Sequence, residues 1–245
     1  MLLGESIAFL SFLLVAEVLG TIGGFGSSML VMPIARWFLP FDQALGLTAV
    51  FHVFSNGAKL LLFRKGVDKR LLLWLGVPAV IGVIMGARLT VHLDERLLSL
   101  VLGVLLLAMG LGLLWKEQWK LRATNTNALA GGAISGFIAG VAGTGGAVRG
   151  ITLSAFALEK SAFVATSAWI DMGVDLSRSV VYSAQGFVTR EVLLYLPALA
   201  AIGLLGSWLG KLALALIAHG QFRRIVLGLV IVMGVVSIVQ ALSLN

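Results

Sequence analysis

A chain of 245 residues has the length of one or two soluble domains, but 59% of it is apolar, only 12% is charged, and its mean hydropathy is +1.04. A soluble domain is roughly 45–50% apolar and about 25% charged, so this composition describes a polytopic membrane protein. Eighteen Lys and Arg against eleven Asp and Glu give a formal charge of +7, an excess spread over short loops that orients a chain in a bilayer and does not argue for nucleic acid. The absence of Cys excludes disulfides, thiolate metal sites, iron–sulfur ligation and Cys nucleophiles. Nothing in the composition calls for a cofactor or a metal.

The chain opens with MLLGESIAFLSFLLVAEVLG, whose only charges are Glu5 and Glu17. A secretory signal begins with a basic region, so the segment is expected to be a retained first membrane helix. No lipidation motif is present, since there is no Cys and Gly4 is not at position two. The stretch 6–39 is too long for one helix and too short for two, and GTIGGFGSSMLVMP at 20–33 interrupts it. Runs of about 20 apolar residues, the length that spans a bilayer, follow at roughly 43–63, 70–91 and 96–115. A second overlong stretch, 127–157, is interrupted by GVAGTGGAVRG at 140–150, and further runs fall at roughly 161–183, 191–212 and 222–243. Backbone that leaves the helix at membrane depth is tolerated only where it is buried in protein or lines a cavity. Both clusters therefore predict a first segment that is broken or re-entrant.

The two halves repeat. Gly24-Phe25-Gly26 precedes Gly143-Thr144-Gly145 by 119 residues, Pro78-Ala79 precedes Pro197-Ala198 by 119, and Gly66/Gly186 and Arg70/Arg190 lie 120 apart. Internal symmetry with interrupted helices at matching positions points to a transporter binding site. Loop charge selects the topology. If each broken segment crosses once, the two faces carry eight and seven Lys/Arg. If each enters and returns, the second half is inverted, and one face holds 64–70, 116–122, Lys160 and 211–224. That face then carries eleven Lys/Arg against four at Arg36, Arg88, Arg96 and Arg190. The positive-inside rule selects the second arrangement. The expected fold is an all-α polytopic membrane protein of two inverted repeats, 1–122 and 123–245. Each repeat has about four transmembrane segments, and together they form one membrane domain. The 64–70 loop is expected in the cytoplasm and both termini outside.

Lys59, Arg149 and Arg178 lie outside the loops. A charge at membrane depth costs about 2.5–3.5 kcal/mol and sits there with a partner or a polar cavity. Asp171, Asp175 and Arg178 are spaced i, i+4, i+7 on one helical face, and Tyr182 extends the stripe. The 119 offset maps them onto His52, Asn56, Lys59 and Phe63, again one face. Two such stripes are expected to meet near the midplane. Each residue also has a plainer reading: the charges as inert ion-paired glue, His52 as a packing residue, Lys59 reaching the cytoplasmic edge beside Arg64 and Lys65. Arg149 follows Gly143, Gly145 and Gly146 in the second break, and Ser27 and Ser28 adjoin Gly24 and Gly26 in the first. Amides at a helix start together with a guanidinium form an oxyanion site. Arg149 pairs alternatively with Glu17 or Asp171, and Glu17 is then a proton carrier or a counter-ion.

The spacing Gly24-x-Gly26-Ser27-Ser28-x4-Pro33 resembles the G-x-G-G-G-x4-P signature of the TauE/SafE sulfite-exporter family, also called the toluene-sulfonate uptake permeases. Gly143-x-Gly145-Gly146-Ala147 is similar to its repeat, and the resemblance covers nearly the whole chain. Ser27 and Ser28 replace two glycines, Thr152 stands where the proline would recur, and Arg149 takes a position that is usually apolar in the signature. The resemblance implies a carrier of small sulfur oxyanions such as sulfite, sulfonates, sulfoacetate or thiosulfate in the inner membrane. With no G-x4-G-K-[ST] loop in the chain, the expected energy source is the substrate gradient or coupled protons. Substrate contacts are then expected from the two glycine clusters, Arg149, His52 and Asn56. Asp171, Asp175, Arg178, Lys59 and Glu17 are expected to line the path or carry protons. An uncoupled anion channel draws on the same residues. An intramembrane enzyme would rest on Ser27, Ser28 or Ser167 with a His in hydrogen-bond reach.

Overall fold

A computed structural model of the chain describes residues 3–23, 26–115, 121–214 and 219–243. Gly24 of the first cluster and Lys116 and Lys120 of one charged loop lie outside the described residues. Every element is a helix: α1 (Leu3–Gly23), α2 (Ser28–Phe38), α3 (Phe41–Leu62), α4 (Lys69–Leu71), a π-helical turn (Leu72–Gly76), α5 (Val77–Thr90), α6 (Glu95–Trp115), α7 (Asn125–Ala142), α8 (Gly146–Ser154), α9 (Lys160–Ala184), α10 (Arg190–Leu194), α11 (Leu196–Leu214) and α12 (His219–Ser243). Among the described residues, five stretches are long and apolar enough to cross a membrane: Gly4–Ile22, Phe41–Leu62, Lys69–Thr90, Glu95–Trp115 and Leu196–Leu214. The chain is thus an all-helical, multi-pass membrane protein, with helices over the six apolar runs read from the sequence. Its exposed side chains include many large apolar ones, Leu61, Ile81, Val104 and Val180 among them, as lipid-facing helices require.

Both overlong stretches break at their glycine cluster and fold back. α1 ends at Gly23, the chain turns through Gly26 in the left-handed region (φ 81°), and α2 returns along α1. Phe38 near the end of α2 lies 5.2 Å, ring centroid to centroid, from Phe9 near the start of α1. In the second half Gly143 (φ 73°) caps α7. α8 then runs back, with Gly145 pressed on Ser135 and Ala139 and Thr152 on Gly131. Each pair is a helical hairpin.

The prolines that share the repeat interrupt the helices that share it too. Pro78 and Pro197 lack the N–H that would bond the carbonyl four residues back. Just before Pro78 the helix widens into the π turn, where the Val77 N–H reaches back to Leu72 O. Just before Pro197, α10 stops at Leu194 and α11 begins at Leu196. Both spans open with a side-chain cap: Asp68 accepts from the N–H groups of Arg70 and Leu71, and Thr189 accepts from Val192.

The main packing partners cross between halves: α1 with α11, α5 with α7, α3 with α9, and α6 with α12. The α5–α7 seam is closely packed. A Cβ at Gly132, Gly136 or Gly140 would strike the backbone of Leu75, Ala79 or Val83, so small residues bring the two helices into backbone contact.

The two ends of the bundle collect different loops. At one end Asp68 N–H donates to Thr166, Arg70 donates to Asn125, Gly66 touches Ala162 and Lys211 Nζ donates to Leu62 O. At the other, Arg36 pairs with Glu95 at 2.5 Å and Ser6 hydrogen-bonds Tyr195.

Candidate functional site

Between the two hairpin turns, α3 and α9 cross and place their polar stripes against each other. The repeat offset appears as a direct contact: Asn56 Nδ2 donates to Asp175 Oδ2 at 2.7 Å across 119 residues. Arg178 holds the centre. Its Nε donates to Asp175 Oδ1 at 2.7 Å, Nη1 to Gly143 O at 3.1 Å, and Nη2 to His52 Nδ1 at 3.0 Å and Thr48 O at 3.5 Å. One buried guanidinium therefore ties the second break to α3 of the first half. Tyr182, one turn on, donates to Gly140 O at 2.6 Å. Its counterpart Phe63 packs apart, with Val164 and Ala165.

Lys59 does not reach for the bundle edge. It is buried, with Nζ 2.7 Å from Glu17 Oε1. Glu17 is fully buried and also accepts from Ser27 (2.5 Å), Ser207 (3.1 Å) and Thr21 (3.3 Å). Four donors around one carboxylate offset its loss of hydration. Glu17 is thus the counter-ion of Lys59, and Arg149 has another partner. Arg149 Nη2 pairs with Asp171 Oδ1, while Ser167 bridges them, accepting from Arg149 Nε at 3.4 Å and donating to Asp171 Oδ2 at 3.1 Å.

A small cavity, about 20 Å³, lies among these groups, room for about one water molecule. The first break contributes Gly26, Ser27 and Ser28 to its wall; the second contributes Gly143, Gly145, Gly146 and Arg149. His52, Asn56 and Lys59 face in from α3, and Asp171, Asp175 and Arg178 from α9. Arg149 Nη2 is 3.6 Å from where a Cβ would stand on Gly26, so the guanidinium of one hairpin lies against the turn of the other. Thr144 and Ser28 link the two turns directly at 3.4 Å. A second cavity of similar size continues past Asp171, between Thr21, Lys59, Val164 and Ala168. Glu17 stands behind Lys59 and borders neither cavity.

Ser27 Oγ also lies 3.1 Å from His52 Nε2, the spacing of a nucleophile and its base. The partners of the two side chains argue otherwise. His52 Nδ1 faces Arg178, which only donates, so Nδ1 accepts and Nε2 carries the hydrogen. Ser27 then accepts from His52 and gives its own proton to Glu17. A histidine that donates to a serine does not deprotonate it.

Sequence reasoning passed over two members of the stripes. Thr48 and Ser167 stand one turn before His52 and Asp171 and are again 119 apart. The same helical spacing and offset extend to them.

No curated protein and no solved structure gives a significant match to the chain. Residues 8–237 match the family model described as Sulfite exporter TauE/SafE. A match over nearly the whole chain, on a membrane bundle with two broken helices facing a charged cavity, establishes that this protein belongs to the TauE/SafE family of sulfite exporters.

Proposed function

We propose that the protein is a secondary transporter of small sulfur-containing oxyanions, of the sulfite, sulfonate, sulfoacetate or thiosulfate class, that acts in the cytoplasmic membrane with proton coupling. The observation that carries this is the position of Arg149: a buried guanidinium on one broken hairpin, against the glycine turn of the other, at a cavity both turns enclose. A planar fork binds a carboxylate-like or sulfonate-like group in two places, and glycine turns bring backbone N–H groups close to an anion. Asp171 or Asp175 would carry the proton.

The two halves, 1–122 and 123–245, are taken as inverted repeats of one membrane domain, with each hairpin re-entering its own side. Two observations support this. The helix pairings exchange between halves, as a two-fold relation between them requires. The 64–70 loop also gathers Asn125 and Ala162 at its own end of the bundle, and Lys211 reaches the adjoining Leu62, on the face where the sequence counts eleven Lys/Arg. That face is cytoplasmic by the positive-inside rule, which leaves both termini outside.

The test is binding and proteoliposome transport of sulfite and a set of sulfonates. Arg149→Ala should abolish both. The double variant Arg149→Ala/Asp171→Asn, which keeps the interior neutral, should fold and be equally inactive. Wild-type affinity in either variant would refute the placement of the anion.

A further inference from the structure

Among the described residues, the charges lining the two cavities and that of Glu17 behind them sum to zero. Lys59, Arg149 and Arg178 are the cations, Glu17, Asp171 and Asp175 the carboxylates, and each cation holds one carboxylate. His52 accepts from Arg178 and is neutral. An anion that takes the Arg149 guanidinium brings a charge that nothing in this interior balances, and it turns one carboxylate out of its pair. We propose that this carboxylate is Asp171: it occupies the substrate's own subsite on Arg149, is displaced when the anion binds, and takes up one proton for each monovalent anion. The proposal rests on the anion-transport reading above and names its coupling group.

Three features single out Asp171. It lies across one edge of the guanidinium, one oxygen on Nη2 and the other bridged to Nε through Ser167, the pose a trigonal oxyanion would take. It is the least enclosed of the three, its side chain 14% exposed against 8% for Asp175 and 0% for Glu17. It alone among them borders both cavities. Glu17 is locked by four donors, and Asp175 by Asn56 and by an Arg178 that is itself fixed on Gly143 O and His52, whereas Asp171 has Arg149 and Ser167.

The first cavity, about 20 Å³, is smaller than any sulfur oxyanion, so the anion enters as the Asp171 side chain leaves. The space open to that side chain is the second cavity. The groups that face it there and at the bridge are Lys59 and His52 from α3, Arg149 from α8, and Asp175 and Arg178 from its own helix, with Glu17 of α1 behind Lys59. Every cation among them already holds a carboxylate or, in the case of Arg149, the incoming anion. A buried carboxylate without a counter-charge is neutralised sooner than kept charged. Anion and proton therefore enter together, and the interior stays neutral.

The experiment is calorimetric titration of the purified full-length protein with sulfite and with methanesulfonate, whose charge is constant across the accessible pH range. In wild type the affinity should fall about tenfold per pH unit on the alkaline side. Enthalpies in buffers of different ionisation heat should report one proton taken up. Asp171→Asn keeps the shape without the charge. At alkaline pH it should bind about ten- to a hundredfold tighter, because the internal competitor is gone, with no pH slope and no proton uptake. If wild type binds while Asp171→Asn binds no tighter or keeps the slope, Asp171 is not the displaced group and the transport reading stands. Binding of neither anion to wild type or variant overturns both. Should Asp171→Asn not give a monodisperse protein, Ser167→Ala loosens the same carboxylate without changing its charge. It should tighten binding with the slope retained, and unchanged affinity overturns the inference.

Discussion

Arg178→Met tests whether one guanidinium holds the two halves together. The substitution leaves Asp175 buried with Asn56 as its remaining donor, and it removes the donor from Gly143 O and from His52 Nδ1. Breaking a buried pair from one side costs about 3–5 kcal/mol, and an unpaired carboxylate at membrane depth about 2.5–3.5 kcal/mol, so about 3 kcal/mol is expected. In a chain of this size each kcal/mol moves a thermal midpoint by about 2–4 °C, which puts the loss at about 6–12 °C. Asp175→Asn in the same chain removes the orphaned charge while keeping an amide for Asn56. What remains lost is neutral hydrogen bonding, about 1 kcal/mol, so the double variant should melt within about 2–4 °C of wild type. The six Trp give a fluorescence signal for melting in detergent. A single variant indistinguishable from wild type, or a double variant no better than the single, would refute the central role given to Arg178.

Three other outcomes follow from the same contacts. Glu17→Gln and Lys59→Met should each destabilise by about 3 kcal/mol and the pair by far less than their sum; additive melting shifts would mean that the two charges do not neutralise each other. Gly26→Ala forces a side chain into the left-handed region, at about 1–2 kcal/mol, and sets a methyl 3.6 Å from Arg149 Nη2. It should weaken anion binding several-fold, and unaltered affinity in a folded Gly26→Ala protein would remove that turn from the anion's surroundings. On this Cys-free chain, Gly4→Cys should react with a membrane-impermeant thiol reagent added to intact cells, and Lys65→Cys only after permeabilisation. Labelling of both from one side would sink the inverted arrangement.

The spans and their interruptions were legible in the sequence because each rests on a local rule. Apolar runs of bilayer length became helices and glycine clusters broke them; the two prolines had marked only the register of the repeat, and the disturbance just before each of them emerged with the structure. The stripes were legible for the same reason: spacing on one helix decides which side chains share a face. Partner choice was not, because it depends on which helices approach. Glu17 is as available to Arg149 as to Lys59 on paper; it goes to Lys59 because α1 packs beside α11, where Ser207 completes its shell. Lys59 has the reach to extend past Phe63 to the bundle edge, and a fully buried carboxylate draws it inward instead. The asymmetry of the halves also escaped the repeat. The position equivalent to Glu17 is Gly136, where the helix meets the backbone of Ala79 and leaves no room for a side chain.

The cross-half pairing of helices sets an order on synthesis. α5 and α7 are made almost consecutively, so their glycine seam is the first contact between the halves that can close. α1 and α6 emerge long before α11 and α12, and Glu17 waits for Ser207 across 190 residues. In that interval Glu17, Lys59 and Ser27, all early on the chain, can already satisfy one another, whereas Ser28 still waits for Thr144 of the second turn. A nascent chain stopped after α9 would contain all three ion pairs and still lack the helix that covers α1. Contacts of such long range slow assembly and leave apolar faces bare in the meantime. A half-length product of this chain would therefore be a target for membrane quality control and not a smaller transporter.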